Sequence, residues 1–264
     1  MKKLALIFTV GLLAYACAKV PLTGRSQLAL VSSSEIQPLV NEEYQKSLKA
    51  NKLLTNTKDG QMITRVGNKM SAAFEKYLND NGYQDIVKEL AWEFNLLESD
   101  QVNAWCMPGG KVAFYTGILP ITQNETGVAV VMGHEIAHAV ASHARERMSN
   151  GLILNFGLSA VSTAMGQNPT LTQQILLQSV GMGSQLGMLS FSRKHELEAD
   201  DLGLIFMAMA GYDPREAPVF WERMSAKGGQ APPEFLSTHP GPDRRIDQLN
   251  AKMPKALEYY NAAK

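Results

Sequence analysis

Residues 122–148 read Thr-Gln-Asn-Glu-Thr-Gly-Val-Ala-Val-Val-Met-Gly-His-Glu-Ile-Ala-His-Ala-Val-Ala-Ser-His-Ala-Arg-Glu-Arg-Met. Thr122 with Glu125 has the spacing of a capping box, and the run behind it predicts one long helix through about Met148. His134 and His138 stand four apart, so on that helix both imidazoles share one face, about one turn apart, where they can hold a single metal. Glu135 lies beside the first histidine, within reach of a metal-bound water, as metal-assisted peptide hydrolysis requires. The competing reading is a helix with two unrelated histidines. Against it, the flank of Val128, Val130, Val131 and Met132 marks the face as buried. Buried imidazoles need partners, and one metal serves both.

A catalytic zinc takes three protein ligands and keeps a fourth position open. His143 is the nearest further histidine. At about 100° per residue along an unbroken helix it points roughly away from His134, so it reads as a surface residue beside Arg145 and Arg147. A second stretch, Ser192-Arg-Lys-His-Glu-Leu-Glu-Ala-Asp200, opens another helix that continues through Leu202, Phe206, Met207 and Ala210 and stops at Gly211. Glu196 and Asp200 lie one turn apart on it. Glu196 can ligate while Asp200 accepts the ring N–H of a ligating histidine. Glu198 points to another face and reads as a solvated or structural acid. His195 competes as a ligand but does not share the Asp200 face. Alone, acids at a helix start simply suit the helix dipole; after the His134–His138 pair, the ligand reading is preferred.

Working outward, Ser32 with Glu35 offers a capping box for a helix to about Ala50. From Asp59 to Asn79, apolar residues recur at Ile63, Val66, Met70, Ala73, Phe74 and Tyr77, the spacing of a helix with one buried face. Residues 91–97 alternate as a strand, Pro108-Gly109-Gly110 is a turn, and Val112 to Thr116 is a second strand. Pro214 opens a helix carrying Phe220, Trp221 and Met224, and Asp243 caps a last one. Between Arg147 and Arg193 there is no charged residue, and no uninterrupted apolar run reaches membrane-helix length. This stretch is read as a buried helical hairpin. Its methionines also allow a mobile lid or a bilayer-facing patch, because methionine-rich surfaces adapt to varied ligands. The expected fold class is α+β, mostly helical, with a small sheet beside the active-site helix.

The 264 residues suit one larger domain. A hydrophobic share of 45% against 19% charged is enough to bury a core. The formal net charge is zero, and without a basic excess no nucleic-acid partner is expected. Lys2 and Lys3, the apolar Leu4 to Leu13 and then Ala14-Tyr15-Ala16 read as a secretory signal, too short for an ordinary membrane span. Small residues directly before Cys17 resemble a bacterial lipobox; a plain signal cleaved after Ala16, or a short anchor, is the alternative. The expected organisation is a lipoprotein signal peptide over 1–16, a lipid-bearing Cys17, a tether over 17–31 and a zinc metallopeptidase domain over 32–264. With Cys17 lipidated, Cys106 is left unpaired and no intramolecular disulfide is expected. Ala18 after the cysteine directs such a lipoprotein to the outer membrane, facing the periplasm.

The His134–His138 motif, the Ser192–Asp200 stretch and Ser237-Thr-His-Pro-Gly-Pro-Asp-Arg-Arg-Ile246 together resemble the gluzincin metallopeptidases that include HtpX and the type-one CAAX prenyl proteases. Val20–Leu28 and Asn103–Leu119 resemble their bacterial periplasmic lipoprotein branch in particular. The resemblance implies a zincin-like domain with Glu196 as third ligand of one zinc ion per chain and Glu135 as catalytic base. It implies that the strand of Val112, Ala113, Phe114 and Tyr115 is an edge that pairs with the substrate backbone. Capture by a sheet edge leaves side-chain selectivity loose. It also places the loop of His239 toward the metal, as a donor to the oxyanion or as a fourth ligand that holds the enzyme shut, without choosing between them. The implied function is a zinc-dependent endopeptidase for unfolded or misassembled cell-envelope proteins, held to the membrane through Cys17, with outer-membrane protein assembly machinery as a partner. The rival is a non-catalytic, chaperone-like assembly factor, in which Glu135 would have no task.

Overall fold

The computed structural model describes residues 17–156, 192–227 and 242–264. In chain order they form strands β1 (Cys17–Lys19) and β2 (Ser26–Leu28) and helices α1 (Ser33–Ala50), α2 (Lys58–Asp80) and α3 (Gln84–Lys88). Strands β3 (Glu93–Leu97), β4 (Ala104–Met107) and β5 (Lys111–Tyr115) follow, then a single 3₁₀ turn and helices α4 (Leu119–Thr122), α5 (Glu125–Val140) and α6 (His143–Phe156). The rest is α7 (Arg193–Met209), α8 (Glu216–Lys227) and α9 (Pro242–Ala262). The protein is α+β and mostly helical. The uncharged stretch from Gly157 to Phe191 and the loop bearing His239 lie outside the described residues, as does the signal segment 1–16.

Ser32 caps α1 through the expected capping box with Glu35. Helix α2 buries Ile63, Val66, Met70, Phe74 and Leu78 along one face. Phe94 of β3 lies against this helix, its ring where a side chain on Gly67 would be. Two turns further along the same face, the Phe74 ring meets that of Phe206 with centroids 4.5 Å apart.

The three-stranded sheet has the order β3-β5-β4. Strand β5 pairs in parallel with β3 and antiparallel with β4. Val112 to Tyr115 is therefore the middle of the sheet, not its edge. Both sides of its backbone are already engaged, so it has no ladder to offer a substrate. The edges are β3 and β4; β4, the one packed on α5, is a strand absent from the sequence reading. It joins β5 through a tight turn in which Gly109 and Gly110 take φ +80° and +84°, angles that favour glycine.

The helix of residues 122–148 is two helices. Asn124 caps α5 by accepting from the Thr126 and Gly127 N–H groups, while the Thr122 hydroxyl bonds the Leu119 carbonyl instead. Helix α5 ends at Val140. Ser142 adopts φ +52°, and the chain restarts as α6 in a new direction.

Helix α5 is packed against α2, α7, α8 and β4. It crosses α7 where two glycines meet: a Cβ on Gly133 would stand 2.7 Å from the Gly203 carbonyl oxygen. This close approach brings the histidines of one helix to the acids of the other.

Residues 17–31 are docked on the domain rather than forming a loose tether. β1 and β2 form an antiparallel hairpin, and Val20 and Val31 are buried. The Leu30 N–H donates to Ser149 Oγ, and Arg25 makes ion pairs with Glu146 and Glu198. Composition alone shows no periodicity here because the segment is held by charge pairs and two buried valines.

Candidate metal centre

One face of α5 presents His134 and His138, and α7 presents Glu196 across the glycine crossing; all three are buried. His134 Nε2 lies 3.1 Å from His138 Nε2 and 3.4 Å from Glu196 Oε2. His138 Nε2 lies 3.5 Å from Glu196 Oε1. Zinc bonds of about 2.0–2.2 Å in tetrahedral geometry imply ligand–ligand edges of about 3.3–3.6 Å. Two of the three separations fall in that range and the third, between the imidazoles, is 3.1 Å, just below it; two imidazoles with one carboxylate are a donor set that zinc accepts. Among the described residues these are the three that converge as metal ligands.

Asp200, one turn beyond Glu196, places Oδ1 2.9 Å from His134 Nδ1, the nitrogen turned away from the other two donors. Arg245 of α9 grips the same carboxylate, with Nε donating to Oδ2 at 2.6 Å and its terminal nitrogen donating to Oδ1. Its guanidinium lies 3.5 Å from the centroid of the Trp221 ring. Burial and the Arg245 charge pull the His134 imidazole down, but Asp200 and Glu196 outweigh them and raise it to about 9. The site thus favours positive charge, and a metal that binds must displace that proton.

Glu135 is buried beside the ligands. Burial is the main force that pushes its pKa up, to about 7, while the Cys106 backbone N–H of β4 bonds the carboxylate and opposes the rise. Its Oε1 is buried with no hydrogen-bond partner among the described residues. A pocket bordered by Cys106, Pro108, Gly109, His138, Ser142 and Arg145 lies beside His138, so the end of β4 borders the same space as that ligand.

The break at Ser142 overturns the placement of His143. An unbroken helix would send it outward; here it is fully buried, with Nδ1 3.0 Å from His138 Nδ1 and Nε2 3.0 Å from Glu198 Oε2. Burial is the leading cause that lowers its pKa, to about 4. Glu198 is a buried structural acid, not a solvated one. His195 is buried too, but bonds Glu146 at 3.0 Å and stands apart from the three donors. Arg245, Glu146 and Arg25 were not singled out from sequence as site residues. Arg25 and Glu146 are separated by 121 positions, and no local pattern announces such a pair.

Residues 72–253 match the model of peptidase family M48. The chain belongs to peptidase family M48. Its similarity to the Arabidopsis thaliana mitochondrial metalloendopeptidase OMA1 is 38% identity over 175 residues, 65% of this chain and 34% of the relative. For the Bos taurus metalloendopeptidase OMA1 it is 32% over 249 residues, 90% and 46%. For the Escherichia coli beta-barrel assembly-enhancing protease it is 32% over 162 residues, 59% and 33%. The chain thus spans about a third to a half of the length of these relatives. The gluzincin reading holds at the level of the M48 family, and these relatives replace HtpX and the CAAX prenyl proteases as the points of comparison. As an M48 metallopeptidase the chain has zinc for its cofactor, and His134, His138 and Glu196 fit it.

Proposed function

We propose that this chain is a zinc-dependent endopeptidase acting on extended segments of unfolded or misassembled cell-envelope proteins. The observation that carries the reading is the convergence of His134, His138 and Glu196, their donor atoms 3.1–3.5 Å apart, with the Glu135 carboxylate beside them. When bound there, zinc polarises the scissile carbonyl and lowers the pKa of a water toward 7. Glu135 takes a proton from the attacking water and delivers it to the leaving amine. Its burial makes it a stronger base than an exposed carboxylate. Asp200, backed by Arg245, holds the His134 ring in its ligating tautomer.

The substrate backbone pairs along β4, whose outer edge has no strand beside it among the described residues and which reaches Glu135 through Cys106. An edge reads main chain, so foldedness rather than sequence selects the substrate. Wild-type enzyme should therefore cut a reduced, unfolded protein and leave its native form intact; equal cleavage of both forms would overturn this selectivity. His239 has two readings of opposite sign. As an oxyanion donor, its replacement by Ala lowers kcat by roughly 10²–10³. As a fourth zinc ligand that closes the site, the same replacement raises activity.

The proposed location is the periplasmic face of the outer membrane, through lipid on Cys17. The N-terminal sequence supports this, and the E. coli relative is named for β-barrel assembly. Among the described residues no helix is long and apolar enough to cross a membrane. Because residues 17–31 are docked, a lipid on Cys17 would hold the catalytic domain close to the bilayer. Mass spectrometry of the mature N-terminus tests it: a diacylated Cys17 is expected, and an unmodified terminus refutes it. Comparison of envelope proteomes with active and Glu135→Gln protein identifies the clients.

A further inference from the structure

The two imidazoles of the metal centre are oriented by different devices. His134 turns Nδ1 directly to a carboxylate, Asp200. His138 turns Nδ1 to a third imidazole, His143, which in turn meets Glu198. A ligating histidine keeps one ring proton, on the nitrogen away from the metal, and donates it. With His138 Nε2 facing His134 and Glu196, its Nδ1–H is the donor and His143 Nδ1 the acceptor. That makes His143 the Nε2–H tautomer, whose proton goes to Glu198 Oε2. One choice of tautomers satisfies the whole line from ligand to carboxylate.

The outer end of the line is fixed by the N-terminal turn. Thr23 Oγ1 donates to Glu198 Oε1 at 2.8 Å, and Arg25 Nε donates to Glu198 Oε2 at 2.7 Å. The other two nitrogens of Arg25 donate to Glu146 at 2.9 and 2.8 Å. Glu146 also bonds His195, whose ring stacks on His143 with centroids 4.5 Å apart. His143 is thus gripped at both nitrogens and on a ring face.

We propose that His143 is the positioning residue for the metal-binding His138, held in that role by the docked Thr23–Arg25 turn through Glu198. The inference rests on the zinc site proposed above, and the experiment separates the two. Zinc affinity of the full chain is measured by competition with a chromophoric chelator, alongside the thermal stability of the metal-free protein. If wild-type chain fails to bind zinc, the zinc-site reading falls and takes this inference with it. Given wild-type binding, His143→Leu fills the volume without an acceptor and should weaken zinc by about 10–100-fold. His143→Asn presents an amide oxygen near the position of Nδ1 and should recover most of that loss. The double variant Thr23→Val, Arg25→Gln should weaken zinc in the same direction by several-fold. Wild-type affinity in folded His143→Leu overturns the proposal, as does equal loss in the Leu and Asn variants, which would signify packing alone. Should His143→Leu fail to fold, unchanged zinc affinity in the double variant overturns it.

Discussion

Gly133 and Gly203 touch backbone to backbone where the two active-site helices cross, one residue before His134 and three after Asp200. A methyl group on Gly203 would come within 2.8 Å of the Gly133 carbonyl carbon and the His134 nitrogen. The neighbouring atoms are main chain, so the helices themselves must part. Gly203→Ala should destabilise the fold by about 1–3 kcal/mol, the ordinary cost of overpacking. It should also weaken zinc, because Glu196 moves with α7. Urea denaturation and chelator competition check both; wild-type values in both would show that the crossing is not what sets the ligand distances.

Arg245 is fully buried, spread over Trp221 and bonded to both oxygens of Asp200. Its replacement by Met keeps bulk but takes from the buried carboxylate the guanidinium that holds both oxygens, leaving His134 against Oδ1. The expected loss is about 3–5 kcal/mol. Arg245→Lys should not restore it, since an ammonium lacks the planar fork that grips both oxygens and lies flat on an indole. Chemical denaturation of the metal-free protein measures this, and near-wild-type stability in Arg245→Met would contradict the assignment.

The docked N-terminal segment should be acid-labile. Burial would raise Glu146 and Glu198, but His195 and Arg25 at the first and His143, Thr23 and Arg25 at the second outweigh it and hold both at about 2, below the ordinary 4.5. A depressed carboxylate contributes stability that is fully present above its unfolded pKa and is lost as pH falls through the folded one. The loss therefore begins below about pH 4.5 and runs toward pH 2. Unfolding free energy measured downward from pH 5 should fall more steeply for wild type than for Glu146→Gln. Parallel curves would mean that Glu146 is not part of the clamp.

The His134–His138 pair and the Glu196–Asp200 pair were legible because each lies within one helix, where a spacing of four fixes a shared face. The capping box at Ser32 and the buried face of α2 were legible for the same reason. That the two pairs belong together came from the family resemblance. What escaped depends on where helices end and cross. The position of His143 turns on one residue, Ser142, in a left-handed conformation, and no glycine or proline marks the break. Strand β4 was missed because Ala104-Trp105-Cys106-Met107 buries its two ends and half-buries its middle, which breaks the alternation that announces a strand. The edge role was assigned to β5 by the family resemblance, and without β4 the residues offered nothing against it. Arg245 and Arg25 act on α7 and α6 from distant parts of the chain, and that proximity is a product of the tertiary fold.

In the proposed mechanism Glu135 is a base beside a zinc ion that it does not itself hold. Zinc content and hydrolysis of an unfolded protein substrate, measured on the same preparations of wild type and Glu135→Gln, test it most directly. About one zinc per chain is expected in both proteins, with hydrolysis by wild type and none by the variant. Normal hydrolysis by metal-loaded Glu135→Gln would contradict it.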